Sequence, residues 1–147
     1  TKWADVEANR RQMLEICPEV DFYISPTLSI QNALHIPDFH RDWVEKGLLK
    51  PQDLNVNLLL DPNWLRVDIA PQHYIDKIKA KYEEHLEWLR PLDKLRRATH
   101  GFESAINFLE SDGSQHLPEL FQRMAKLDEI RNETMLDVIP ELNELTK

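Results

Sequence analysis

The sequence predicts a helix-rich α+β fold, and three observations predict it. The densest apolar run, Leu54 to Pro71, carries a two-residue period in which Leu54, Val56, Leu58 and Leu60 share one face. Up to that run, helix-like and strand-like segments alternate, which is the pattern of an α/β unit with a crossover helix. After Pro71 the chain shows helical stripes joined by short connections. The expected organisation is one domain over 1–147, with a helix-strand-helix-strand unit in 1–70 and a helical tail in 71–147.

Taken in order, Trp3, Val6, Met13, Leu14 and Cys17 form the apolar side of a first helix, which Pro18 stops. Val20, Phe22 and Ile24 alternate with Asp21, Tyr23 and Ser25 as a strand does, and Pro26 marks an early end, an edge or a bulge. Ser29 to Ile36 shows no period and reads as a loop. Pro37 opens the next helix in its first turn, Asp38 suits the dipole there, and Phe39, Trp43, Val44 and Leu48 give it an apolar face. Gly47 marks its end. The central strand starts at Leu54. Contiguous Leu58, Leu59 and Leu60 predict cover on both faces, as in a parallel sheet. Asp61-Pro62-Asn63 is turn chemistry, and Leu65, Val67 and Ile69 resume the strand period as a short third strand.

The tail begins at Pro71. Tyr74, Ile75, Ile78, Tyr82, Leu86 and Leu89 form one stripe, which Pro91 breaks. Leu92, Leu95, Ala98, Phe102, Ala105, Ile106 and Leu109 form a second, ended at Ser111-Asp112-Gly113-Ser114. Leu117, Leu120, Phe121, Met124, Leu127 and Ile130 form a third, and a short closing helix starts at Pro140.

Composition narrows the function. With 18 Lys and Arg against 26 Asp and Glu, the net charge of −8 argues against nucleic acid and against an anionic membrane surface. Only 3 Gly are present, so no glycine-rich phosphate loop exists. A single cysteine, Cys17, excludes an internal disulfide and a cysteine-only metal cage, and fits a reducing, cytoplasmic setting. The chain opens on Thr1 rather than methionine, so a piece of something longer is expected.

Candidate chemistry is sparse. His35, Asp38, His40 and Asp42 are the densest set of metal-ligand types, but a helix starting at Pro37 fans them in several directions, so no metal site is expected. His73, His85, His100 and His116 stand alone on helices without a Ser or Cys partner, and His85 reads as a packed side chain. Cys17 reads as a small core residue. Asp128 and Arg131 read as a helical ion pair. Asn55 and Asn57 share a strand face, while Thr27, Ser29 and Asn32 follow the first strand. Polar groups at such carboxyl ends either bind ligands or satisfy local backbone.

Set side by side, the segments Val20 to Asn32, Pro37-Asp38-Phe39-His40-Arg41-Asp42-Trp43, Asn57 to Pro71, Leu127 to Arg131 and Pro140-Glu141-Leu142 resemble one family. They are similar to the C-terminal part of the radical S-adenosylmethionine proteins of the twitch-domain type. The resemblance implies a partial parallel (β/α) barrel, of which this chain supplies the last two strands and a helical layer. It implies that Thr27, Ser29 and Asn32 follow the fifth strand at the mouth where S-adenosylmethionine lies, with Asn57 on the sixth. The Cys-x-x-x-Cys-x-x-Cys loop that holds the iron–sulfur cluster is absent, as is the Gly-rich segment, so no cofactor is expected in this chain alone.

The expected function is therefore the non-catalytic C-terminal portion of such a protein, enzymatic only as part of a longer chain. The alternative is a free-standing acidic helical module that binds another protein. A metallohydrolase built on His35, Asp38 and His40 ranks third. A homodimer is expected, because Leu54 to Leu60 forms a strand with neither charge nor proline to defend its edge.

Overall fold

The computed structural model describes residues 2–147. Helix α1 (Trp3–Ile16) ends where Cys17 N–H donates to the Met13 carbonyl and Pro18 can donate nothing. It buries no residue completely, and is held to the body by a few groups. Trp3 packs on Phe39 and Trp43, Arg10 Nε donates to the Leu48 carbonyl at 2.8 Å, and its guanidinium lies 3.7 Å from the Phe22 ring centre. Cys17 is exposed rather than in the core. The turn that returns Val20 N–H to the Cys17 carbonyl leaves this thiol outside.

Two short strands, β1 (Thr27–Leu28) and β2 (Asn57–Leu58), pair in parallel with Thr27 opposite Asn57. An isolated bridge, Ile24 to Leu54, extends the pairing backwards. Pairing thus runs from Ile24 to Leu28, later than the alternation from Val20 suggests, because the turn after Pro18 uses up residues as far as Val20. Pro26 does not end the strand. Its nitrogen faces β2, so one ladder bond is missing there, while its carbonyl still accepts Asn57 N–H at 2.9 Å.

Helix α2 (Ile36–Glu45) connects the strands as the expected crossover. Gly47 closes it at φ +72°, a backbone shape that other residues rarely take. Trp43 is buried and joins α2 to Phe39 and α1. Its Nε1 is buried without a partner, so Trp43→Ala removes an orphaned donor together with the packing. The expected cost is about 3 kcal/mol, the low end for a buried aromatic. Urea unfolding measures it, and a loss near zero would mean that the ring does not hold α2 in place.

The segment expected as a third strand forms none. Leu65, Val67 and Ile69 lie in two 3-10 turns, Asn63–Leu65 and Val67–Ile69, flanked by extended Arg66 and Ala70. Val67 and Ile69 are buried, and the Leu65 carbonyl takes Ile30 N–H at 3.0 Å, pinning the loop after β1. The alternation is real, but no strand lies alongside to make it a sheet.

The tail follows its stripes. In α3 (Gln72–Leu89) Tyr74, Ile75, Ile78, Tyr82, Leu86 and Leu89 are buried, and the Tyr82 hydroxyl donates to the Ala33 carbonyl at 2.8 Å. Helix α4 (Arg97–Phe108) starts later than its stripe suggests, after Arg96 at φ +55°, so Leu92 and Leu95 lie in the preceding turn and are exposed. Buried Asp93 caps α4 through its bond from Thr99 N–H at 2.7 Å. Helix α5 (Leu117–Arg131), a short α6 (Met135–Val138) and a closing 3-10 segment Pro140–Thr146 complete the order. Asp128 does not pair with Arg131; its carboxylate accepts Met135 N–H at 3.1 Å and so starts α6.

Candidate functional site

The two faces of the strand pair differ in kind. On one face Leu28, Leu54 and Val56 are buried, with Phe22, Ile24, Pro26 and Leu58 half-buried beside them. The alternate residues Tyr23, Ser25, Thr27, Asn55 and Asn57 are all exposed. They form a bare polar face, on which Asn55 Nδ2 reaches Asn57 Oδ1 at 3.5 Å.

The two edges differ as well. The strand of Leu54 to Leu60, which carries neither charge nor proline, is not the open one. Helix α4 packs on it at Gly101, where a Cβ would lie 3.2 Å from the Val56 nitrogen. The open edge belongs to β1. Ile24, Pro26 and Leu28 turn their carbonyls to β2, so Tyr23, Ser25 and Thr27 turn theirs outward. Because Pro26 faces inward, it does not block this outer row, and Asn32 Nδ2 caps it at the Thr27 carbonyl.

The structure brings the four sequence-predicted site residues to the carboxyl end of this pair. Thr27 stands opposite Asn57, and both are exposed. Ser29 and Asn32 lie in the loop that follows. Asn32 Oδ1 accepts Ser29 N–H at 2.9 Å, its Nδ2 donates to the Thr27 carbonyl at 2.9 Å, and Ser29 Oγ accepts Gln31 N–H at 3.3 Å. Asn32 and Ser29 therefore shape the loop, and the side chains turned to the open surface are those of Thr27 and Asn57. Tyr23, Ser25 and Asn55 extend the same face; the alternation along each strand is the signal that identifies them.

The histidines do something the sequence does not announce. His40 of α2 and His85 of α3 are buried side by side, with His40 Nδ1 2.9 Å from His85 Nε2 and His40 Nε2 3.0 Å from the Pro51 carbonyl. A carbonyl can only accept, so His40 carries its proton on Nε2 and accepts on Nδ1, and His85 donates from Nε2. Phe102 stacks on His40 at 5.7 Å, and Trp88 lies against both rings. Burial pushes His40 down to about 4, against the opposing pull of the Pro51 carbonyl and the Asp93 carboxylate. Burial, then the charges of His40, Arg41 and Lys81, push His85 down to about 3. His35 instead meets Glu141 of the closing segment, and Asp38 meets Lys81, so the expected scatter of the His35, Asp38, His40 and Asp42 set is what the geometry has.

Among the described residues, no group of three or more His, Cys, Asp or Glu side chains is placed to hold a metal ion, and no helix is long and apolar enough to cross a membrane. Cys17 is the sole thiol, too few for an iron–sulfur cluster. No family model matches the chain, and no curated protein or solved structure shows significant similarity to it.

Proposed function

We propose that this chain is the C-terminal portion of a radical S-adenosylmethionine-like protein, which adds two strands and a helical tail to a partial (β/α) barrel and does no chemistry alone. The bare polar face of the parallel pair carries this reading. Parallel sheets are covered on both faces, and two strands alone make a poor sheet. Here helices cover one face, while Tyr23, Ser25, Thr27, Asn55 and Asn57 line the other. In a closed barrel that face is the interior. Thr27, Ser29, Asn32 and Asn57 then stand at the carboxyl ends, where such folds bind ligands. The iron–sulfur cluster belongs to the preceding part, and S-adenosylmethionine lies against these residues only when that part is present, in a reducing, cytoplasmic setting.

The test is to express the whole reading frame that contains Thr1 under anaerobic conditions and to record iron content and electron paramagnetic resonance. A cluster signal that the present chain lacks supports the reading. A start codon directly before Thr1, or a longer product without iron, overturns it.

The open outer row of β1 favours a second reading, a free-standing acidic helical protein-interaction module. In that case the open β1 edge receives a strand from a protein partner or from a second copy of the chain, giving a homodimer.

A further inference from the structure

A cavity of about 480 Å³ opens at the amino end of the strand pair, away from Thr27, Ser29, Asn32 and Asn57. Its walls carry opposite charges. The strand wall presents Asp21 and Asp53, and the wall leading into α4 presents Arg96, Arg97 and His100. Arg96 is engaged, since its guanidinium reaches Glu103 at 3.1 Å and 3.2 Å. Arg97 makes no ion pair among the described residues, although the chain holds 26 acidic against 18 basic side chains. His100 makes no side-chain hydrogen bond among them either.

Opposite, Asp53 is held above the usual carboxylate range, first by burial and also by Asp21, while Lys50, Arg97 and Arg10 pull it down. Two carboxylates that repel each other gain from a cation between them, and an unengaged arginine gains from an anion. The same lining carries two large apolar groups, Tyr23 at 69% and Leu95 at 62% exposure. Large side chains this open beside a cavity offer a landing surface for an apolar ligand body.

We propose that this cavity binds a small zwitterion of the amino-acid class with an apolar side chain. Asp21 and Asp53 take the ammonium, Arg97 and His100 take the carboxylate, and Tyr23 and Leu95 cover the side chain. The site shares Tyr23 with the polar face of the strand pair, while Asp21, Asp53, Leu95, Arg97 and His100 lie outside that face.

Calorimetric titration of the chain tests it with phenylalanine, with N-acetylphenylalanine, which lacks the ammonium, and with phenethylamine, which lacks the carboxylate. Phenylalanine is expected to bind saturably, and each truncated ligand roughly ten-fold more weakly. Arg97→Gln is expected to abolish the preference over phenethylamine, and Asp53→Asn the preference over N-acetylphenylalanine, both with an unchanged urea midpoint. If Asp53→Asn lowers that midpoint, Asp21→Asn tests the same wall. No saturable heat with phenylalanine up to about 10 mM overturns the proposal. Equal affinity for the three ligands, or preferences that survive both substitutions, also overturns it.

Discussion

Acidification from about pH 7 to about pH 4 will remove about 3–5 kcal/mol of stability, most of it above the range where carboxylates titrate. The cause is the buried pair His40 and His85, whose pKa values lie at about 4 and about 3 against an ordinary 6.5. Both are lower in the fold than in the unfolded chain, so the unfolded chain binds more protons between those limits. Stability is therefore full above about pH 6.5 and is lost as the pH falls towards the folded values. Each histidine contributes about 1.4 kcal/mol per pH unit in that window. One ring alone would lose about 3 kcal/mol by pH 4, and the total stays below twice that because the folded pair can itself accept a first proton. A single added proton fits on His85 Nδ1 without breaking the pair, whereas His40 Nδ1 is already occupied by the bond from His85. Urea midpoints measured from pH 7 downwards read the effect directly. The double substitution His40→Leu, His85→Phe should flatten the curve between about pH 6.5 and about pH 5. A flat curve for the unaltered chain would mean that the rings are solvated.

Asp68→Ala will cost about 2–4 kcal/mol, because it strips a buried carboxylate from the half-buried Arg66 guanidinium and from the Ser111 hydroxyl. Asp68 is 1% exposed between two buried apolar neighbours, Val67 and Ile69. Arg66 binds both of its carboxylate oxygens, with Nε at 2.9 Å from Oδ1, and Ser111 donates to Oδ2 at 2.7 Å. Its backbone carbonyl takes Gly113 N–H at 3.1 Å, so one residue ties the segment after β2 to the α4–α5 loop. A Cβ on Gly113 would meet Asp68 Oδ1 at 2.7 Å, and Arg66 prevents that oxygen from moving aside. Gly113→Ala is therefore expected to cost about 1–3 kcal/mol, and the double substitution less than the two together, since the alanine at 68 frees the space. Unfolding free energies of the three variants check this. A near-zero loss for Asp68→Ala would mean that the carboxylate is not committed to Arg66.

The helical layer was legible because its stripes repeat over long segments, and Tyr74 to Leu89 is buried where the period places it. The crossover from β1 to β2 was legible from spacing. The third strand was not, because alternation reports only which side chains turn inward, and Leu65 to Ile69 turns them inward through 3-10 turns. Leu92 and Leu95 fit a helical stripe in sequence, yet the turn capped by Asp93 leaves them in solvent. At the carboxyl ends of the strands Thr27 faces Asn57 as the alternation places them, while Ser29 and Asn32 bond to the loop backbone. The pairing of His40 with His85 joins residues 45 positions apart, and no local pattern encodes it. The same holds for α4 on the β2 edge, which depends on Gly101 having no side chain.

The outer row of β1 and the polar face beside it have no covering partner among the described residues. In a purified sample the one strand available to cover them comes from a second copy of the chain. Light scattering across the micromolar range is the most direct measurement, made on the chain and on Ser25→Pro, which deletes an outward N–H without touching the bonds to β2. The expected mass rises from 17.4 kDa towards twice that value on concentration, and the Ser25→Pro variant stays monomeric. A mass of 17.4 kDa that persists as the unaltered chain is concentrated would contradict the dimer.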